Sequence, residues 1–107
     1  MKAFKVIVQE SAELDLTGII EYIAVDLREK AVAVKLYKKI SEAISSLSEA
    51  PGRCAVIDAE PYKPMRIRRL IVENYSIFYF VNNETETVHI LRILYNRSDW
   101  KNLVTTQ

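Results

Sequence analysis

The apolar residues of this 107-residue chain change their period once, near residue 50. Before that point they recur every three or four residues, the spacing of one helix face; beyond residue 64 they gather into short runs with the alternation of strands. Leu16, Ile19, Ile20, Ile23, Ala24 and Leu27 paint one helical stripe, and Ala33, Leu36, Tyr37, Ile40, Ile44 and Leu47 paint a second. Only a charged break at 28–30 separates them, so the two helices are predicted to run antiparallel. Ser11 stands where an N-cap belongs, and Glu13 and Asp15 favour the positive end of the helix dipole. Gly18 weakens the first helix by about 1 kcal/mol relative to alanine. The second helix is expected to stop before Pro51-Gly52.

The first ten residues read as a strand: Phe4, Val6 and Val8 alternate with Lys5, Ile7 and Gln9, apolar enough for an inner or covered position. Residues 52–64 carry turn-formers and mixed polarity, which predicts a loop with one helical turn. Three strands follow at 65–72, 75–81 and 86–95. The turn at Glu73-Asn74 joins the first two, its asparagine suited to left-handed geometry. The order is therefore β-α-α-β-β-β. It predicts an α+β fold, with an antiparallel two-helix hairpin packed on one face of a mostly antiparallel four-stranded sheet. Residues 1–107 are expected to form one domain, being enough for one core and too few for two.

Half of the residues are apolar and the formal charge is +1. The local pattern matters more: Lys63, Arg66, Arg68 and Arg69 fall in a stretch, 61–72, without an acidic residue. A lone cysteine, Cys54, excludes an internal disulfide and supplies neither a zinc set nor a redox pair, so a cytoplasmic protein without metal or cofactor is expected. No apolar run approaches the roughly 20 residues that span a bilayer.

Arginines on strands are held at fixed spacing, which suits a polyanion or an acidic protein surface. Alternation places Arg66 and Arg68 on one face with Leu70 and Val72, and Arg69 on the other with Ile67 and Ile71, so the three cannot serve one site. Arg92 shares its predicted face with Val88, Ile90 and Leu94. Its apolar flank requires either a carboxylate partner or a groove, and the groove is the preferred reading. Arg97 and Trp100 follow the last strand, where loops carry function. Tyr95 acts as an acid or base near neutrality only if neighbouring cations such as Arg92 and Arg97 lower its pKa. His89, the sole histidine, is expected in a structural position, and Tyr75, Phe78, Tyr79 and Phe80 in the core.

The helix opening S-A-E-L-D-L-x-x-I-x-x-Y-I-A, the helix end L-S-x-x-P, the strand pair R-R-L-x-V-x-x-Y-x-I-F-Y-x-V and the finish I-L-R-I-L-Y-N-R-S-D-W follow one another along nearly the whole chain. In this order they resemble the RelE/ParE superfamily of type II toxin–antitoxin toxins, which are associated with plasmid stabilisation and growth inhibition. The resemblance implies a cognate antitoxin partner that wraps the toxin in a hetero-oligomer, and one of two targets. RelE-like members are ribosome-dependent endoribonucleases, or mRNA interferases; ParE-like members inhibit DNA gyrase. In the ribonuclease branch the central strand usually opens with Tyr-Arg, where this chain has Tyr75-Ser76. A further arginine in many ribonucleases is matched by Ile71, and their terminal tyrosine only by Trp100. The run from Arg92 to Trp100 looks like the ParE-side ending, with Tyr95 where a histidine is frequent and Ser98 where a second arginine often stands. The resemblance thus implies a gyrase inhibitor that uses Arg66, Arg68, Arg69, Arg92, Arg97 and Trp100 to hold its target. The alternatives are a ribonuclease in which Tyr95 and Arg92 take catalytic roles, and an inactive toxin fold that only binds its antitoxin.

Overall fold

The computed structural model describes residues 3–58 and 62–96. Strand β1 (Lys5–Val8) leads into α1 (Glu10–Glu21), which continues through a π-helical turn, Tyr22–Asp26. Helix α2 (Lys30–Ser46) follows, then a 3-10 turn, Pro51–Arg53, and the strands β2 (Arg68–Val72), β3 (Tyr75–Asn82) and β4 (Thr87–Tyr95). The sheet order is β1-β4-β3-β2, with β1 parallel to β4 and the other pairs antiparallel. This is the expected α+β architecture.

The helical stripes do what their spacing predicts. Ala33, Leu36, Ile40, Ile44 and Leu47 of the second stripe are buried, and from the first Ile23 is buried while Leu16, Ile19, Ile20 and Ala24 pack against the same core. They meet Ile77 and Tyr79 of β3 and Val88, Ile90 and Ile93 of β4. Leu27 and Tyr37 are instead about half exposed. A smaller cluster of Tyr62, Ile67, Phe78 and Leu94, joined by Ile57 and Leu91, lies on the opposite sheet face. Alternation along β3 separates the two, since Phe78 stands between Ile77 and Tyr79.

Several local expectations are corrected. Among the described residues β1 is an edge strand paired only with β4, so of the two positions expected for it the inner one is excluded and the covered one holds. Phe4, Val6 and Val8 owe their apolar character to the helices packed on them. The N-cap of α1 is Gln9, which makes no side-chain cap; the Ser11 hydroxyl donates 2.7 Å to the Leu91 carbonyl and ties α1 to β4. The predicted strand at 65–72 begins only at Arg68, since 62–66 form turns and Arg66 has φ 56°. In the β2–β3 turn the left-handed residue is Glu73, also at φ 56°, not Asn74. The expected helical turn after residue 50 is present at Pro51–Arg53. There the Arg53 guanidinium donates to the Ser46 hydroxyl at 2.7 Å and the Ser46 carbonyl at 3.3 Å, closing the end of α2.

Candidate functional site

Each arginine on β2 and β4 is drawn to an acceptor inside the protein. Arg68, opposite Tyr79 in the sheet, donates to the carbonyls of Gly52 (3.3 Å) and Cys54. It holds the segment after α2 against β2, and the buried Tyr79 hydroxyl adds a 2.7 Å bond to the Pro51 carbonyl. Arg69, opposite Phe78 on the other face, donates to the Ser76 hydroxyl at 2.8 Å and to Asn96 Oδ1 at 3.4 Å. Ser76 is fully buried and itself donates to Asn96 Oδ1, so hydrogen bonds link the three residues into one network. The predicted division of Arg68 from Arg69 therefore holds. Arg66 is exposed in its turn. Arg97 and Trp100 lie outside the described residues.

Arg92 departs most from the sequence reading. In the β3–β4 register Phe78 faces Arg92 and Tyr79 faces Ile90, so Leu91 is an inserted residue, a β-bulge. The insertion reverses the alternation: Val88 and Ile90 lie in the helix-side core, but Leu94 joins the opposite cluster. Arg92 consequently falls in register with Phe78 and Leu94 and not with Val88 and Ile90, and its guanidinium nevertheless reaches α1. Its Nε and Nη2 donate to the two oxygens of Asp15 at 2.7 and 2.9 Å, and Asp15 Oδ2 also accepts the Ile93 N–H at 3.0 Å. Of the two options for Arg92, the carboxylate partner replaces the preferred groove. The side chains are only 17% and 15% exposed. Hydrogen bonding to Asp15 raises the Arg92 pKa, burial opposes that rise, and the carboxylate charge adds to it. A planar guanidinium engaged at two points on a carboxylate is the strong form of this pair.

The open site lies elsewhere. Between α1 and α2 runs a cavity of about 990 Å³, with Tyr75, Ile93 and Tyr95 of the sheet among its lining and Leu27 and Glu29 of the interhelical connection also bordering it. Leu14, Gly18 and Tyr22 line its α1 side; Val32, Lys35 and Lys39 line its α2 side. Leu14 is 65% exposed, Tyr22 53% and Val32 50%. A Lys39–Glu73 ion pair of 3.5 Å links α2 to the β2–β3 turn. Sequence reasoning passed over these residues because it sought the buried stripe. The signal was present: Leu14, Gly18 and Tyr22 are spaced by four, a second line along α1.

Tyr95 is 41% exposed and packs edge-on against Tyr75, with ring centres 5.5 Å apart. Burial, then Tyr95 and Tyr22, push the Tyr75 hydroxyl above its ordinary pKa, so it stays neutral. His89 takes the structural position expected of it: Nδ1 lies 3.1 Å from Gln9 Nε2 and the ring stacks near Phe80. Phe78 and Tyr79 are fully buried, as expected for core aromatics, whereas Tyr75 and Phe80 are only half-buried. Among the described residues no group of three or more His, Cys, Asp and Glu side chains could hold a metal. No described helix is long and apolar enough to cross a membrane.

Comparison with known proteins agrees with this geometry. The profile of one family, the ParE toxin of the type II toxin–antitoxin system parDE, matches residues 6–100. No curated protein matches the chain. A structure of the chromosomal ParDE toxin–antitoxin system from P. aeruginosa superposes with a TM-score of 0.69 at 24% identity, covering 87% of this chain and 96% of that one. The RelBE2 toxin–antitoxin complex from Mycobacterium tuberculosis gives a TM-score of 0.56 at 22% identity, covering 87% and 98%.

Proposed function

Because the chain belongs to the ParE toxin family of type II toxin–antitoxin systems, we propose that it arrests growth by inhibiting DNA gyrase and performs no chemistry of its own. The observation that carries this choice is that the arginines an RNA-cutting site would need are already engaged within the protein. Arg69 is bound into a network with Ser76 and Asn96 on one sheet face, Arg92 is clamped by Asp15, and Tyr95 lines the cavity on the helix side. A phosphate in flight needs several donors converging on one point. Ser76, where the ribonuclease branch usually has arginine, supplies a hydroxyl already engaged with Asn96.

The cognate antitoxin occupies the wedge between α1 and α2 in this reading. Its apolar walls suit an amphipathic helix laid into a groove. Arg66, with Arg97 and Trp100, remains a candidate for target contact, whereas Arg68, Arg69 and Arg92 act first as structural ties.

The test is a gyrase supercoiling assay run beside toeprinting on translating ribosomes. We expect the purified toxin to abolish supercoiling and to leave ribosome-bound messages intact, with supercoiling restored once the co-encoded antitoxin is added. Cuts at codon positions together with normal supercoiling overturn the reading in favour of the ribonuclease.

A further inference from the structure

Just before β2 the backbone of Arg66 has a φ of 56°, a left-handed conformation that a residue with a Cβ seldom adopts. Two consecutive turn bonds hold it there: the Met65 N–H donates to the Tyr62 carbonyl and the Arg66 N–H to the Lys63 carbonyl, each at 3.1 Å. The exposed guanidinium has no partner among the described residues. It borders a cavity of about 190 Å³ between the Pro51-Gly52 turn and the end of β3, and Arg68 borders the same cavity. Nη1 of Arg68 is anchored on the Gly52 and Cys54 carbonyls, whereas its Nε and Nη2 hydrogens have no partner among the described residues. Asn83 supplies the remaining polar side chain. No described Asp or Glu lines this space, and Asp58, on the neighbouring loop, is paired with Lys63 at 3.2 Å. Two cations on one small cavity repel each other until a counter-charge enters.

We propose that Arg66, Arg68 and Asn83 form a binding site for a single phosphate group. Charge and shape select the ligand. Inorganic phosphate or a phosphate monoester carries about −1.5 to −2 charges at neutral pH and offers several acceptor oxygens, which answers two guanidinium forks and an amide; a carboxylate brings one charge and fewer acceptors. The cavity is also local. It admits one such group, whereas a nucleic-acid backbone needs a charged groove that tracks several nucleotides. Arg68 is already immobilised against the segment after α2, so part of the ordering that binding requires is complete before the ligand arrives. The site stands apart from the interhelical wedge and is independent of the gyrase reading.

The experiment titrates inorganic phosphate into the full chain at constant ionic strength while backbone amide NMR signals are followed, with adenosine monophosphate against adenosine in a second arm. Wild type, Arg66→Ala, Arg66→Gly and Lys63→Ala are compared, and each is melted alone. Saturable shifts are expected at Gly52, Arg66, Arg68 and Asn83. Loss of one charge-assisted donor set weakens binding by roughly tenfold in Arg66→Ala. Arg66→Gly is expected to lose the same affinity yet melt at or above the wild-type temperature, because glycine takes a left-handed φ without strain. Lys63 is exposed and does not line the cavity, so Lys63→Ala, which removes the same charge, is expected to bind as wild type does. Tighter binding of adenosine monophosphate than of phosphate identifies a monoester as the source of the group, and equal or weaker binding identifies the free ion; either supports the site. Shifts that do not saturate overturn the proposal. So does wild-type affinity in Arg66→Gly, or an equal loss in Lys63→Ala, which would reduce the effect to diffuse charge.

Discussion

Around the wedge between α1 and α2, Leu14, Tyr22 and Val32 lie open, whereas on β2 and β4 the arginines Arg68, Arg69 and Arg92 donate to groups within the protein. Composition suggests the reverse assignment, with cations outward for binding and hydrophobes inward for stability. Solvation explains the inversion. Cations drawn partly out of water must find acceptors, and once found these ties hold strands, loop and helix in register. Apolar side chains left in water around a concave surface are the stronger sign of a binding site, because burying them on association is favourable.

Three variants bear on this contrast, in descending size. Asp15→Ala should be the most damaging: it strands the Arg92 guanidinium and the Ile93 N–H at the bulge, at a cost of about 3–5 kcal/mol. Thermal or denaturant unfolding measures it, and a loss below about 1 kcal/mol would mean that Arg92 is not a structural tie.

Tyr79→Phe should cost about 1 kcal/mol at neutral pH through the lost bond to the Pro51 carbonyl. It should also change the alkaline limb of the stability curve. Burial, with a contribution from Cys54, raises the Tyr79 pKa above its ordinary value of 10.0. The folded state therefore keeps a proton that the unfolded chain loses above pH 10, so stability is full below that pH and falls as pH climbs through the raised native pKa. The phenylalanine variant should lose part of that decline, and an unchanged slope between wild type and variant would refute the assignment.

Lys39→Ala should have the smallest effect on the isolated protein, within about 0.5 kcal/mol, since its partner Glu73 is an exposed residue. Its influence belongs to the wedge. Antitoxin binding should weaken, and wild-type affinity would argue against the α2 wall as part of the docking surface.

Much of the fold was legible in the residues. The three-and-four spacing of the helical stripes survives translation into structure because a helix buries one face whatever it packs upon, and Ala33, Leu36 and Ile40 had no other side to turn to the core. The β2–β3 hairpin was equally local, although Glu73 rather than Asn74 took the left-handed position. Alternation also separated Arg68 from Arg69 correctly. It failed at Arg92 because one inserted residue, Leu91, reverses every inference beyond it. A bulge is stabilised by what lies above it, and here that is Asp15, 77 positions earlier in the chain.

Amphipathic period and turn chemistry, which act over a few residues, were therefore enough to determine the two-helix hairpin and the antiparallel meander. Tertiary structure alone decided that β1 joins the sheet edge parallel to β4, that three arginines become internal ties, and that the apolar line Leu14-Gly18-Tyr22 borders an open wedge. Those outcomes depend on which distant groups meet. Desolvation energy settles such meetings only when the whole chain has packed.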